Sequence, residues 1–171
     1  MLKFSGGAAL VLLVCSFGFS AAVHAQPAAD KPEWAETQVP PPPAFDMSKL
    51  LPIDVPGSTL AYGVDPASIQ ISNKDGIVRY VMVATSPSGA RNVMYEGLRC
   101  STAEFKTYSR YSPDGQWAPV SDAQWRSVFG NMPSRHALRF AKAGACEGAS
   151  SASTVDVLVS RLKNPNYLSS N

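Results

Sequence analysis

The stretch IVRYVMVAT, residues 77–85, constrains this chain more than any other. It is rich in Val, Ile and Tyr, and both of its alternating faces are apolar except at Arg79. Turn signals bound it on each side, Asn73-Lys74-Asp75-Gly76 before and Ser86-Pro87-Ser88-Gly89 after. A strand that is apolar on both faces belongs in the middle of a sheet that is covered on both sides. The rest of the chain therefore has to supply neighbouring strands and two covering layers.

The neighbours are legible by alternation. LAYGV (60–64) is a short strand, and SIQIS (68–72) puts Ile69 and Ile71 on one face. RNVMYEGLRC (91–100) places Val93, Tyr95, Gly97 and Arg99 on one face and Met94, Glu96, Leu98 and Cys100 on the other. Gly97 marks a bulge or a close backbone approach. EFKTYSRY (104–111) puts Phe105, Thr107, Ser109 and Tyr111 on one face, with Glu104, Lys106, Tyr108 and Arg110 on a wetter one. After Pro113-Asp114-Gly115 the chain returns over 116–120 as a short edge strand. Tight turns between successive strands predict an antiparallel meander of about five strands.

The last third changes period. Ser121-Asp122-Ala123-Gln124 has the spacing of a capping box and predicts a helix over 122–129, with Trp125, Val128 and Phe129 on one stripe. Pro133-Ser134 opens a second helix over 135–143, anchored by Leu138. Ser153 with Asp156 opens a third, whose Val155, Leu158, Val159 and Leu162 form an apolar stripe, and Asn164-Pro165 stops it. Strands followed by helices give the α+β class, an antiparallel sheet with C-terminal helices packed on one face.

The chain opens with a short apolar run behind Lys3 and ends that run at Val23-His24-Ala25. This is the pattern of a secretory signal cleaved after Ala25. The apolar core, residues 8–14, is too short for a membrane span, which takes about 20 residues. Val14 stands before Cys15 where a lipobox carries Gly, Ala or Ser, which argues against lipid anchoring. The expected organisation is a signal peptide (1–25), a Pro-rich extended leader (26–58), one α+β domain (59–164) and a tail (165–171). The proline run at 40–43 favours an extended conformation, and Trp34 and Phe45 bracket it. They would pin the leader to the domain as a strap, or the run would serve as a ligand for a partner.

Without residues 1–25 the chain keeps 14 of its 15 basic residues and all 13 acidic ones, a net charge of +1. That balance disfavours nucleic acid held by bulk charge. Acids concentrate in 26–65 and bases in 99–142, so the two regions attract each other or the second forms a basic face. Two cysteines remain, Cys100 and Cys146, and a disulfide is the default for such a pair in an exported protein.

His136 is the sole histidine after residue 25. This excludes two-histidine metal sites, and no P-loop, G-x-G-x-x-G or G-x-S-x-G is present, so neither a metal nor a cofactor is expected. No catalytic residue is assigned. Glu96, set among apolar residues in a strand, is the candidate acid or base for a hydrolase on a glycan or peptide, since burial raises a carboxyl pKa. The candidate binding residues are Arg91, Tyr95, Glu96, Arg99, Lys106, Tyr108, Arg110 and Trp117. Aromatic and basic side chains interleaved on a sheet suit a glycan, a peptide or single-stranded nucleic acid, and they equally suit a sheet packed on helices.

The run IVRYVMVATSPSGARNVMYEGLRC, followed by EFKTYSRYSPDGQW and Trp125, resembles the cryptic neisserial protein-like family of exported proteobacterial proteins. Glu33-Trp34, the proline run and Leu51-Pro52 fit the same layout. The resemblance covers residues 33–146. It implies a periplasmic or envelope protein with one such domain, and brings no activity, cofactor or catalytic residue with it. The expected function is a non-enzymatic module that binds an envelope protein or polymer, with a Glu96 hydrolase and single-stranded nucleic-acid binding as rivals.

Overall fold

Alternation and turn chemistry produce eight strands of one antiparallel sheet: β1 (Leu51–Ile53), β2 (Ala61–Val64), β3 (Gln70–Ile71), β4 (Ile77–Thr85), β5 (Arg91–Arg99), β6 (Glu104–Tyr111), β7 (Trp117–Pro119) and β8 (Arg126–Ser127). The computed structural model describes residues 33–164 and Tyr167. The expected signal peptide and its cleavage site, the start of the leader (26–32) and the tail apart from Tyr167 lie outside the described residues. The chain separates into two units, Met1–Glu33 and Trp34–Asn171, and the whole sheet belongs to the second. No helix among the described residues is long and apolar enough to cross a membrane.

The strands run in the order β1-β2-β4-β5-β6-β7, with β3 also on β4 and β8 also on β6. The sheet is larger than the five strands expected because two segments read otherwise joined it. Residues 51–53, assigned to the leader, pair with β2, and residues 126–127, assigned to a helix, pair with β6. β2 and β3 lie end to end along one edge of β4, interrupted by a 3₁₀ turn at Pro66–Ser68. Across that gap the Ser68 hydroxyl accepts the Val81 N–H at 2.9 Å, standing in for a ladder partner.

β4 is central and buried along all but its last residue, as its two apolar faces demand. Its even-numbered residues, Val78, Tyr80 and Met82, join the larger core with Met94, Leu98 and Cys100. Its odd-numbered Val81 and Val83 join a second core with Val93 and Tyr95. The sheet therefore has a helix face and an opposite face, each closed by a different part of the chain.

The helix face is covered by α1 (His136–Phe140), a wider π-type turn over Ala141–Ala145, the small hairpin of β9 (Cys146–Glu147) and β10 (Ser150–Ser151), and α2 (Val155–Leu162). α2 starts one residue later than expected, with the Thr154 hydroxyl accepting the Val157 N–H at 3.2 Å. Leu158 is fully buried, and Val155, Val159 and Leu162 pack beside it. The π-type turn contains Gly144, whose φ of 120° and whose Arg161 neighbour, 2.7 Å from where a Cβ would stand, both require glycine. A disulfide joins Cys100, just after β5, to Cys146, just after that turn, and ties the helical layer to the sheet.

The helix expected over 122–129 does not form. Trp125 instead packs edge-on against Trp34 and Tyr108, and Phe129 is 64 % exposed. The local capping signal yields to the pairing of Arg126–Ser127 with β6 and to an aromatic contact that a helix in this segment would break.

The opposite face is covered by the leader. Phe45 packs edge-on against Tyr111 and Trp117, and Val39, Met47 and Leu50 fill in around them. The Trp34 indole N–H donates to the Asp75 carbonyl at 2.9 Å, and the Arg99 guanidinium lies 3.5 Å from the centre of the Trp34 ring. The residues on either side of the proline run thus pack the leader onto the domain as a strap.

Candidate functional site

One residue of β6 decides which side chains meet on the helix face. Tyr95 stands opposite Ser109 but Glu96 stands opposite Thr107, so Tyr108 is an extra, bulged residue. Past the bulge the parity of the strand inverts. Phe105 and Thr107 share the face of Leu98 and Glu96, as expected, whereas Ser109 and Tyr111 turn to the strap face with Tyr95 and Val93. Arg110, expected on the wetter face, moves opposite Met94 and onto the helix face. Tyr108 is displaced over Gly97, where a Cβ would overlap its hydroxyl and ring. Gly97 is thus the close backbone approach.

Glu96 is fully buried on the helix face, and three donors reach it. Tyr80 donates to Oε2 at 3.1 Å and Thr107 to Oε1 at 3.0 Å, while His136 Nε2 sits 2.9 Å from Oε2. The carboxylate fixes the tautomer by requiring the proton on Nε2. Nδ1 then faces the Ser134 hydroxyl at 3.0 Å, and that hydroxyl also accepts the His136 N–H at 3.2 Å. The imidazole is stacked on Tyr62, with centroids 5.4 Å apart and planes 4° from parallel, and Phe105 meets it edge-on.

The electrostatics run against the sequence expectation of a raised carboxyl. Burial pushes Glu96 upward, but the charge of His136 and the hydrogen bonds from His136, Thr107 and Tyr80 outweigh it and hold Glu96 below its ordinary range. For His136, burial opposes protonation and so does the nearby Arg110, yet the charge and hydrogen bond of Glu96 prevail and raise the imidazole. The two form a buried hydrogen-bonded pair in which each partner favours the charged form of the other. Glu96 is a poor general acid in this setting, being charged and already hydrogen-bonded at both oxygens.

Beside the pair lies a cavity of about 380 Å³. Tyr62, Met94, Phe105 and Met132 give it apolar walls, and Glu96, Thr107, Ser134 and His136 its polar end. Arg110, Arg126 and Asp122 stand at its exposed rim. Arg110 donates to Asn92 Oδ1 at 2.9 Å, and Asp122 accepts from the Gln124 amide at 2.8 Å. Arg126 makes no ion pair among the described residues. A second cavity of about 530 Å³ borders the disulfide under Leu98, Leu138 and Phe129, with Lys142 and Glu147 at its edge. It has no comparable set of converging polar groups.

The candidate binding residues are divided between faces and do not form one aromatic–basic surface. Glu96 and Arg110 line the first cavity. Tyr95 is buried beneath the strap, where Trp117 packs on it. Arg99 is covered by Trp34. Lys106 Nζ pairs with Glu36 at 3.0 Å, and the Tyr108 hydroxyl donates to Glu36 at 2.6 Å. Arg91 is exposed at the start of β5. Sequence reasoning passed over Tyr62, Ser134 and Arg126. The uniqueness of His136 and the need of a buried Glu96 for a partner were the signals that could have joined those two. Among the described residues, no group of three or more His, Cys, Asp or Glu side chains is placed to hold a metal ion.

The model of the CNP1-like family matches residues 29–163. No curated protein and no solved structure matches.

Proposed function

From the premise that the chain belongs to the CNP1-like family, we propose that it is an exported cell-envelope domain that binds a small ligand in the Glu96–His136 cavity without turning it over. The narrower likeness to cryptic neisserial protein, and the periplasmic location that comes with it, belong to this proposal. The N-terminal signal pattern and the Cys100–Cys146 bond support export.

The observation that carries the reading is a cavity of about 380 Å³ with apolar and aromatic walls and one polar end. That is the usual composition and size of a small-molecule site. The polar end argues for holding a ligand over transforming it. Every hydrogen bond of the Glu96 carboxylate closes within the protein, so its basicity is spent on His136, Thr107 and Tyr80. A partner that is a large envelope polymer would enter through a small terminal group. The test is a thermal-shift and NMR screen of small envelope metabolites with the Met94→Trp protein as control. Ligands that raise the melting temperature of the wild type and not of Met94→Trp support the reading, and a screen in which both respond alike removes it.

A hydrolase is the second reading. It is favoured by the line from the Ser134 hydroxyl through His136 to Glu96, with steps of 3.0 and 2.9 Å. Here Nδ1 would take the serine proton and Nε2–H would donate to the carboxylate. The bland role of Ser134 is local, because its hydroxyl already receives the His136 N–H at the start of α1. Turnover of a nitrophenyl ester that disappears in Ser134→Ala would favour the enzyme, and equal background rates would remove it. Single-stranded nucleic-acid binding has the least support, since Arg99 and Lys106 are engaged by the strap.

A further inference from the structure

The walls of the cavity say what kind of ligand it would hold, and the rim says which charge. The β6 bulge is the feature that brings Arg110 to this rim. Without the extra residue Arg110 would stand opposite Val93 on the strap face, and Ser109 would take the place opposite Met94. Arg126 arrives from β8, where it pairs with Phe105 of β6, and also lines the cavity. At the rim itself Asp122 offsets one of the two arginines. One net positive charge remains at the mouth, carried by guanidinium groups that are not enclosed by carboxylates. Arg110 is held on one nitrogen by the neutral Asn92 side chain, which orients it while leaving its charge uncompensated.

Behind this rim Met94 and Phe105 on the sheet and Met132 and Tyr62 around the histidine form an apolar wall that runs to the polar end at Glu96, Thr107 and Ser134. Two methionines give the walls a side chain that adapts to unbranched as well as cyclic groups. A neutral polar ligand, such as a sugar, would leave the apolar wall unused.

We propose that the cavity binds a small amphipathic anion, with an alkyl or aryl group against Met94, Phe105, Met132 and Tyr62 and an anionic head group at Arg110 and Arg126. The inference rests on the ligand-binding reading of this cavity and adds the chemical class. A medium-chain fatty carboxylate is its simplest representative. Glu96 stays out of contact with the head group, and His136 contributes the aromatic end of the wall.

The experiment uses the chain without residues 1–25 and three probes with one alkyl body, octanoate, octan-1-ol and octylammonium. Each is titrated while the Met94 methyl and backbone amide NMR signals are followed. Octanoate is expected to bind about ten-fold tighter than octan-1-ol, the worth of one charge-assisted hydrogen-bonded contact, and octylammonium weakest. Arg110→Gln is expected to bring octanoate down to the affinity of the alcohol, and Arg110→Lys to retain part of the preference. Octylammonium binding as tightly as octanoate, or octanoate keeping its advantage in both Arg110→Gln and Arg126→Gln, overturns the anionic class and leaves the cavity as a ligand site. Probes that bind equally well to Met94→Trp, or fail to bind at all, overturn the cavity reading and this inference with it.

Discussion

Both faces of the sheet bury a carboxylate against a cation, and they close over it differently. On the strap face Arg79 is 3 % exposed, and its Nη2 lies 2.8 Å from Asp75 and 3.7 Å from Glu36. Asp75 also accepts from both the N–H and the hydroxyl of Thr37. The segment that carries Glu36 and Thr37 brings Trp34, Val39 and Phe45 with it, so the charges and the space above them are filled together. On the helix face the Glu96–His136 pair is as dry, but its partners come from β4, β6 and α1, and none of these fills the space between the sheet and the loop at 120–134. A polar group satisfied from within the protein does not require that the volume beside it be packed. The open half is available to a ligand for that reason, and its walls and rim, more than its buried pair, define what enters.

If this contrast is right, removing a charge should cost most where the surrounding chain depends on it. Asp75→Ala strips Arg79 of its nearest counter-ion and Thr37 of both its bonds, and the expected loss is about 3–5 kcal/mol by urea unfolding. The same protein should be cut by protease within 34–45, where the wild type resists. A loss under about 1 kcal/mol, the range of an exposed pair, would show the strap to be dispensable and erase the distinction between the faces.

The helix face has its own fastener. Replacing both Cys100 and Cys146 by Ala opens a cross-link spanning 46 residues, which a chain-entropy account sets at up to about 4 kcal/mol. Protease should then attack 141–151 before it attacks the strap.

His136→Ala comes next, at about 2–3 kcal/mol, because a Glu96 that takes up a proton retains Tyr80 and Thr107 as partners. Restoring most of that loss with Glu96→Gln in the same chain would confirm that the cost is an uncompensated buried charge. Failure of the second substitution to restore anything would assign it to packing against Tyr62 and Phe105.

The smallest effect is in pH. Glu96 is lowered from its ordinary 4.5, so its stabilisation is complete above that value and fades as acid brings the pH through its folded value. His136 is raised from 6.5, so its stabilisation is complete below 6.5 and fades as the pH climbs through its folded value. Asp75 is lowered from 3.8: burial would raise it, but the hydrogen bonds led by Arg79 more than reverse that. It has an acid limb alone. The stability difference between wild type and His136→Gln should therefore be largest between pH 4.5 and 6.5 and shrink above that, while the difference for Asp75→Ala stays level into the alkaline range. Parallel curves for the two variants would break the comparison.

Local chemistry carried the long strands, because Gly-containing turns bound β4 on both sides, open β5 and close β6. β4, β5 and β6 begin and end within a residue of the expected bounds, and Met94, Leu98 and Cys100 share a face as read. The α2 stripe and the disulfide were legible for similar reasons, one from spacing and one from count. The bulge in β6 was not, because a period of two carries no mark of an inserted residue unless glycine supplies it. Its cost fell on Arg110, which the alternation placed on the wrong side of the sheet. The absent helix over 122–129 is a case of tertiary override, where Trp125 finds Trp34 far earlier in the chain. The cavity was invisible in the same way. Glu96 and His136 are 40 residues apart, and only the need of a buried Glu96 for a partner and the lack of a second histidine after residue 25 linked them.

The strap has a consequence for the order of events in folding. Its residues are the first of this unit to be synthesised, yet nearly everything they hold lies far downstream. The Trp34 indole bonds a residue 41 positions later, and the Tyr108 hydroxyl reaches back 72 positions to Glu36. Phe45 has to wait for Trp117 before it has a surface to rest on. The leader therefore has no complete surface to dock on until the meander beneath it is formed, and its proline run offers no strand edge for pairing before then. A molecule that fails to close it would display a row of tyrosines and a buried arginine to its surroundings, which makes the leader a seal applied at the end of assembly.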